Sequence, residues 1–149
     1  MLGSWPSPKD AANYATAALH ISIIFGLVFG LVCILFSNPL IGFFNLTGHQ
    51  VIADARIYLK ITCGCVIFSF LNQTLTGIFT AAGNSRSSFM ATLTGLLINM
   101  ILDPVLIFGL GPFPVMGVAG AAIATVLAQA TVTLIFFVFA KKTTLFFAI

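Results

Sequence analysis

The fold class predicted for this sequence is an all-α integral membrane protein with four transmembrane helices. Three observations predict it. Of 149 residues, 60% are hydrophobic. Only 6% are charged, six basic and three acidic, against about 25% in soluble domains. The apolar residues also come in long unbroken runs, and crossing about 30 Å of hydrocarbon takes about 20 helical residues. So few charges cannot clothe a water-soluble globule, which excludes a soluble enzyme, a nucleic-acid binder and a disordered tail. The net charge of +3 is no argument for nucleic acid, because the basic residues are scattered and form no patch. In lipid every backbone polar group needs an internal partner, so only helices and closed barrels span. Long runs without alternation are not the pattern of a barrel.

The spans are expected at about 18–44, 57–80, 88–110 and 117–140. The first has a soft end near Asn38-Pro39. Between the spans, Asn45-Leu46-Thr47-Gly48 and Gly83-Asn84-Ser85-Arg86 carry turn chemistry, and Gly111-Pro112-Phe113-Pro114 is a stiff corner. The stretch 1–15, with Ser4, Pro6, Ser7, Pro8, Lys9 and Asp10, lacks the pattern of a signal peptide. The tail 143–149 is apolar but too short to span; it is expected at the interface or as the start of a further segment. An even number of spans puts both termini on one side. Lys9, Arg86, Lys141 and Lys142 share it, while Arg56 and Lys60 lie opposite, with Asp54 counting little. That excess places the termini in the cytoplasm and the chain in the cell (plasma or inner) membrane, surrounded by lipid.

Each span carries one polar or small stripe at helical spacing. In the first it is Ser22, Gly26, Gly30, Cys33 and Ser37. In the second it is Tyr58, Thr62, Cys65, Ser69, Asn72, Thr76 and Thr80. The third has Thr92, Gly95, Asn99 and Asp103, and the fourth has Thr125, Gln129 and Thr133. Small residues let helix backbones approach, and hydroxyls bond between helices. Close packing therefore accounts for the first stripe, with Gly26-xxx-Gly30, and for Gly120-xxx-Ala124-xxx-Ala128. Asn72, Asn99, Asp103 and Gln129 exceed what packing requires, and they predict a shared water-accessible cavity.

Asp103 is the only acid well inside a span, about 10 Å below its outer end at about 1.5 Å per residue. Such a carboxylate is costly in a bilayer and marks ion or proton routes. Asn99 lies one turn back on the same face. Pro104 has no N–H, so the Met100 carbonyl loses its helical partner. As a proton site, Asp103 would change charge with its hydration. As a sodium site, its carboxylate, the Asn99 amide oxygen, the Met100 carbonyl and nearby hydroxyls would be hard oxygen ligands. The residues do not choose between the two ions. His20 and His49 read as interfacial polar residues. Cys33, Cys63 and Cys65 read as packing residues, since Cys63 and Cys65 point about 200° apart on a helix. There is no Glu, no HExxH and no phosphate-gripping Gly-rich loop, so no enzyme and no organic cofactor is expected.

Three runs come in order: Ala82-Gly83-Asn84-Ser85-Arg86, Asn99-Met100-Ile101-Leu102-Asp103-Pro104-Val105-Leu106-Ile107-Phe108-Gly109, and Met116-Gly117-Val118-Ala119-Gly120-Ala121-Ala122-Ile123-Ala124-Thr125. Together they closely resemble the multidrug and toxic compound extrusion (MATE) family of cation-coupled antiporters. The likeness runs from a Lys9–Tyr14 loop to Lys142. It implies two six-helix lobes forming a V, of which the four spans here are similar to helices three to six of the amino-terminal lobe. By resemblance, Asn99 and Asp103 match the fifth helix's cation-binding pair and Thr125 the sixth helix's hydroxyl partner. Tyr58 and Thr76 match cavity positions of the fourth helix, the latter often Asn in relatives, while Asn72 and Gln129 join them from the stripes. An Arg common at that helix's cytoplasmic end is Thr80 here.

The resemblance implies proton- or sodium-coupled export of small amphiphilic, cationic drugs. The family's first two helices and carboxy-terminal lobe have no counterpart in the chain, so the expected partners are those helices of the same transporter or other copies of this chain. Two alternatives stand beside this reading. One is a stand-alone four-helix membrane protein, a small oligomeric exporter or an assembly subunit. The other is a lipid-linked sugar flippase of the related superfamily, which fits the Asn99–Asp103 and Gly117–Thr125 runs less well.

Overall fold

The computed structural model describes residues 8–142, and among these all regular structure is helical. The helices are α1 (Pro8–Leu35), α2 (Ser37–Phe43), α3 (His49–Gly64), α4 (Ile67–Ala81), α5 (Ser85–Phe108) and α6 (Gly117–Lys142). The expectations for the amino-terminal stretch before Pro8 and for the tail 143–149 lie outside the described residues.

The first helix starts ten residues earlier than the apolar run, and the supposed Lys9–Tyr14 loop is its opening turns. Local chemistry accounts for this. Pro8 suits a first helical position, Asp10 complements the positive end of the helix, and Ala11, Ala12, Ala15, Ala17 and Ala18 are strong helix formers. The soft end is a real break. Pro39 cannot donate to the Leu35 carbonyl, and its ring crowds that oxygen. The chain accordingly leaves the helix at Phe36 (φ −97°, ψ 17°) and restarts as the two-turn α2.

Among the described residues, three helices are long and apolar enough to cross a membrane: α1 from Lys9 to Leu35, α5 and α6. The expected span 57–80 is not one continuous helix. It divides at Cys65–Val66 into α3 of 16 residues and α4 of 15. The interruption is mild. Cys65 N–H still donates to the Ile61 carbonyl, and Val66 N–H tightens onto the Cys63 carbonyl, three residues back. Gly64 and the β-branched Val66 and Ile67 are poor helix formers, and α1 presses on the same place. A Cβ on Gly30 would sit 2.7 Å from the Cys63 carbonyl oxygen, and one on Gly26 3.0 Å from the Ile67 Cα. The buried residues of the first stripe, Ser22, Gly26, Gly30, Cys33 and Ser37, form this tight seam.

Tight turns make α4, α5 and α6 antiparallel neighbours. Gly83 (φ 79°) turns the chain between α4 and α5, and Asn84 caps α5 by accepting from Ser87 N–H at 3.4 Å. Gly109 (φ 67°) ends α5, and Met116 N–H returns to the Leu106 carbonyl at 3.1 Å. Two glycines then let α5 and α6 approach closely, Gly120 against backbone and Gly95 against a side chain. A Cβ on Gly120 would lie 2.5 Å from the Leu106 carbonyl oxygen, and one on Gly95 would run into Val132. The main core cluster joins Leu75 and Phe79 of α4, Ala91 of α5, and Val132, Phe136 and Ala140 of α6, with Leu19 of α1 against it. The Phe79 and Phe136 rings are 5.3 Å apart. Because Leu19 is early in α1, Phe79 late in α4, Ala91 early in α5 and Ala140 late in α6, Lys9, Arg86, Lys141 and Lys142 gather toward one end of the bundle.

Candidate functional site: a polar cleft between α4, α5 and α6

Between these three helices lies a cleft of about 360 Å³, toward the lower end of the about 300–1,000 Å³ usual for small-molecule sites. Helix α4 contributes Ser69, Asn72, Gln73 and Thr76. Helix α5 contributes Thr92, Gly95, Leu96 and Asn99, and α6 contributes Thr125, Ala128, Gln129 and Val132. The polar stripes of the last three helices converge because Gly95, Ala128 and Gly120 bring the helix axes close. No lining side chain is charged. The walls offer amides and hydroxyls over an aliphatic floor.

One side of the cleft is tied together by hydrogen bonds. Ser69 Oγ donates to Gln129 Oε1 at 2.8 Å. Asn72 Nδ2 donates to the Gln129 carbonyl oxygen at 2.9 Å, and Asn72 Oδ1 accepts from Thr133 Oγ1 at 2.8 Å. Both ends of the Asn72 amide are therefore spent on α6. Outside the cleft lining, the buried Ser88 Oγ of α5 donates to the Thr76 carbonyl of α4 at 3.3 Å. Thr125 Oγ1 donates to the Ala121 carbonyl at 3.0 Å, which leaves its oxygen lone pairs as acceptors.

Asn99 and Asp103 occupy successive turns of α5, as their spacing predicts. Asn99 Nδ2 donates to Asp103 Oδ1, at a loose 3.4 Å. Asn99 lines the cleft, while Asp103, half-buried, sits one turn further along. Pro104 lies inside α5, so the helix carries an unpaired carbonyl position at Met100 beside the acid. Carboxylate, amide and hydroxyl oxygens in this quarter suit a proton or a hard cation.

The structure thus gathers Asn72, Thr76, Asn99, Thr125 and Gln129 around one space and places Asp103 next to it. It does not bring Tyr58 there. Tyr58 lies on α3, exposed and beyond the Cys65–Val66 break, which separates the two halves of the second stripe. His20 and His49 are exposed and away from the cleft, His20 Nδ1 lying 2.8 Å from the Thr16 carbonyl. Gln73 was not foreseen. It sits off the stripe beside Asn72 and reaches the cleft at its open edge, where it is exposed. Leu96 and Val132 were also missed, since an apolar residue that walls a cleft is indistinguishable in sequence from one that faces lipid.

The MatE family profile matches residues 6–105. This chain belongs to the MATE family. Among curated relatives it is 35% identical over 126 residues to Protein DETOXIFICATION 43 of Arabidopsis thaliana, covering 84% of this chain and 23% of that protein. It is 34% identical over 128 residues to the FAD transporter of Shewanella oneidensis, covering 84% and 27%. It is 33% identical over 123 residues to a probable multidrug resistance protein NorM of Thermotoga maritima, covering 81% and 26%. A solved structure of a multidrug resistance MATE family transporter in an inward-facing conformation superimposes with a TM-score of 0.82 at 25% identity, covering 89% of this chain and 29% of that one. The MATE chain described here spans about a quarter of the length of the curated relatives it matches. Its relatives are transporters rather than enzymes, and its apolar helices place it in a membrane.

Proposed function

We propose that this chain forms residues of the amino-terminal lobe of a MATE exporter, corresponding to that lobe's helices three to six, and that α3 and α4 together act as one crossing. In this reading the exporter uses an inward cation gradient to expel amphiphilic, cationic organic compounds across the cell membrane. Asp103, Asn99 and Thr125 hold the coupling cation, a proton or sodium, while Asn72, Thr76 and Gln129 line the adjoining hydrated cavity. The observation that carries the proposal is the junction of an uncharged polar cleft with a carboxylate next to a proline inside a helix. Binding a cation at Asp103 changes the charge beside Pro104, where α5 has a hydrogen bond fewer to resist bending. A cation moves such an equilibrium only by binding one lobe conformation more tightly than the other.

The gathering of Lys9, Arg86, Lys141 and Lys142 at one end supports cytoplasmic termini. The test is Asp103→Asn in a complete MATE transporter that contains this segment, expressed in cells loaded with a fluorescent organic cation. The variant keeps the shape and removes the ionizable group, so active efflux should stop while the protein still reaches the membrane. Efflux at the parent rate would refute the assignment.

A further inference from the structure

A second cleft, of about 270 Å³, lies at the α2–α3 corner, away from the polar cleft, and is lined by Arg56 of α3, Asn38, Asn45, Ile41, Leu46 and Ile52, among others. We infer that it binds the phosphate of an anionic phospholipid, with Arg56 as its principal contact. The guanidinium presents a planar fork of donors that matches phosphate oxygens, and among the described residues it has no ion pair. Asp54, two residues away, is engaged instead by Gln50 Nε2 at 3.1 Å. The Asn38 and Asn45 amides add donors at the mouth. Ile41, Leu46 and Ile52 supply an apolar wall, which a free anion does not need and a lipid's glycerol and upper acyl carbons do.

The surroundings place this cleft at headgroup depth. Helix α1's apolar run ends at Leu35, and the polar Asn45–Gly48 turn begins ten residues later. Between them, Phe43 and Phe44 are 85% and 70% exposed, with ring centroids 5.9 Å apart. Two apolar rings exposed at the end of a membrane span need cover, and the upper acyl carbons of a bilayer at that level supply it. Lys60, one turn from Arg56 on α3 and exposed, adds a second positive charge on that side.

The experiment titrates the purified chain in detergent with phosphatidylglycerol or phosphatidylcholine and counts bound lipid by native mass spectrometry. Phosphatidylglycerol should be preferred, and Arg56→Gln should weaken it by about tenfold or more through the lost charge-assisted hydrogen bond. Arg86→Gln, the same charge change at the opposite end, should leave it unaltered. Millimolar inorganic phosphate should not displace the lipid. Unchanged binding in Arg56→Gln, or an equal loss in Arg86→Gln, would overturn the inference. So would displacement by inorganic phosphate, which would show a free-anion site. Should Arg56→Gln lose its helical circular dichroism, Asn45→Asp replaces it, since Asn45 (φ 47°) is in a turn that Asp tolerates. Its added negative charge should produce the same weakening, and unaltered lipid binding in that variant would also overturn the inference.

Discussion

Replacing Asn72 with Leu removes the amide that fastens α4 to α6 while keeping most of its volume. Two interhelical hydrogen bonds go with it, to the Gln129 carbonyl and from the Thr133 hydroxyl. Side-chain hydrogen bonds between membrane helices average about 0.6 kcal/mol and reach about 1.7, so the pair is worth about 1.2 kcal/mol with a ceiling near about 3.4. The lower part of that range is expected. With Asn72 gone, the single Thr133 hydroxyl proton turns wholly to the Gln129 carbonyl, 3.0 Å away, so neither partner is orphaned, and Ser69 still holds the Gln129 side chain. The expected loss is therefore about 1–2 kcal/mol. It is measured by titrating the reconstituted chain with a denaturing detergent and following helical circular dichroism. A cycle with Thr133→Val isolates the Asn72–Thr133 bond, with an expected coupling of about 0.6–1.7 kcal/mol. If the two single losses simply add, the bond does not tie the helices and the rigid α4–α6 wall is wrong.

The other predictions concern α5 and its contacts. Gly120→Val should cost about 1–3 kcal/mol in the same titration, because even a Cβ would lie 2.5 Å from the Leu106 carbonyl oxygen. Gly77→Ala, where nothing lies within 4 Å, should be neutral or stabilising by up to about 1 kcal/mol. A cheap Gly120→Val would mean that α5 and α6 are not in close contact. Pro104→Ala restores a donor for the Met100 carbonyl, so it should raise the melting temperature of the chain and slow transport in the complete transporter. Faster transport with the straightened helix would contradict a role for Pro104 in bending.

Much of the fold was legible because lipid leaves few choices. Unbroken apolar runs located α5 and α6 within a few residues, and glycine with asparagine or proline marked the turns that join α4, α5 and α6. What escaped was the subdivision of elements. Helix α1's polar opening turns lie before the apolar run, and hydropathy says nothing about a helix that continues past it. The Cys65–Val66 break depends on α1 pressing against it, a tertiary contact with no local signature. The cleft was legible for the opposite reason. Amides at helical spacing are costly unless partnered, so Asn72, Asn99 and Gln129 had to face one another or water. Tyr58 shared their spacing, but spacing carries register only through an unbroken helix.

The account's central claim is that water reaches the cleft beside Asp103. Cysteine accessibility tests it most directly, in the complete transporter in membranes, after Cys33, Cys63 and Cys65 are replaced by alanine. Thr76→Cys, Asn99→Cys and Gln129→Cys should react with a charged, membrane-impermeant methanethiosulfonate, whereas Phe25→Cys and Leu27→Cys, at exposed apolar positions of α1, should not. Cleft positions that react no faster than those two would contradict it.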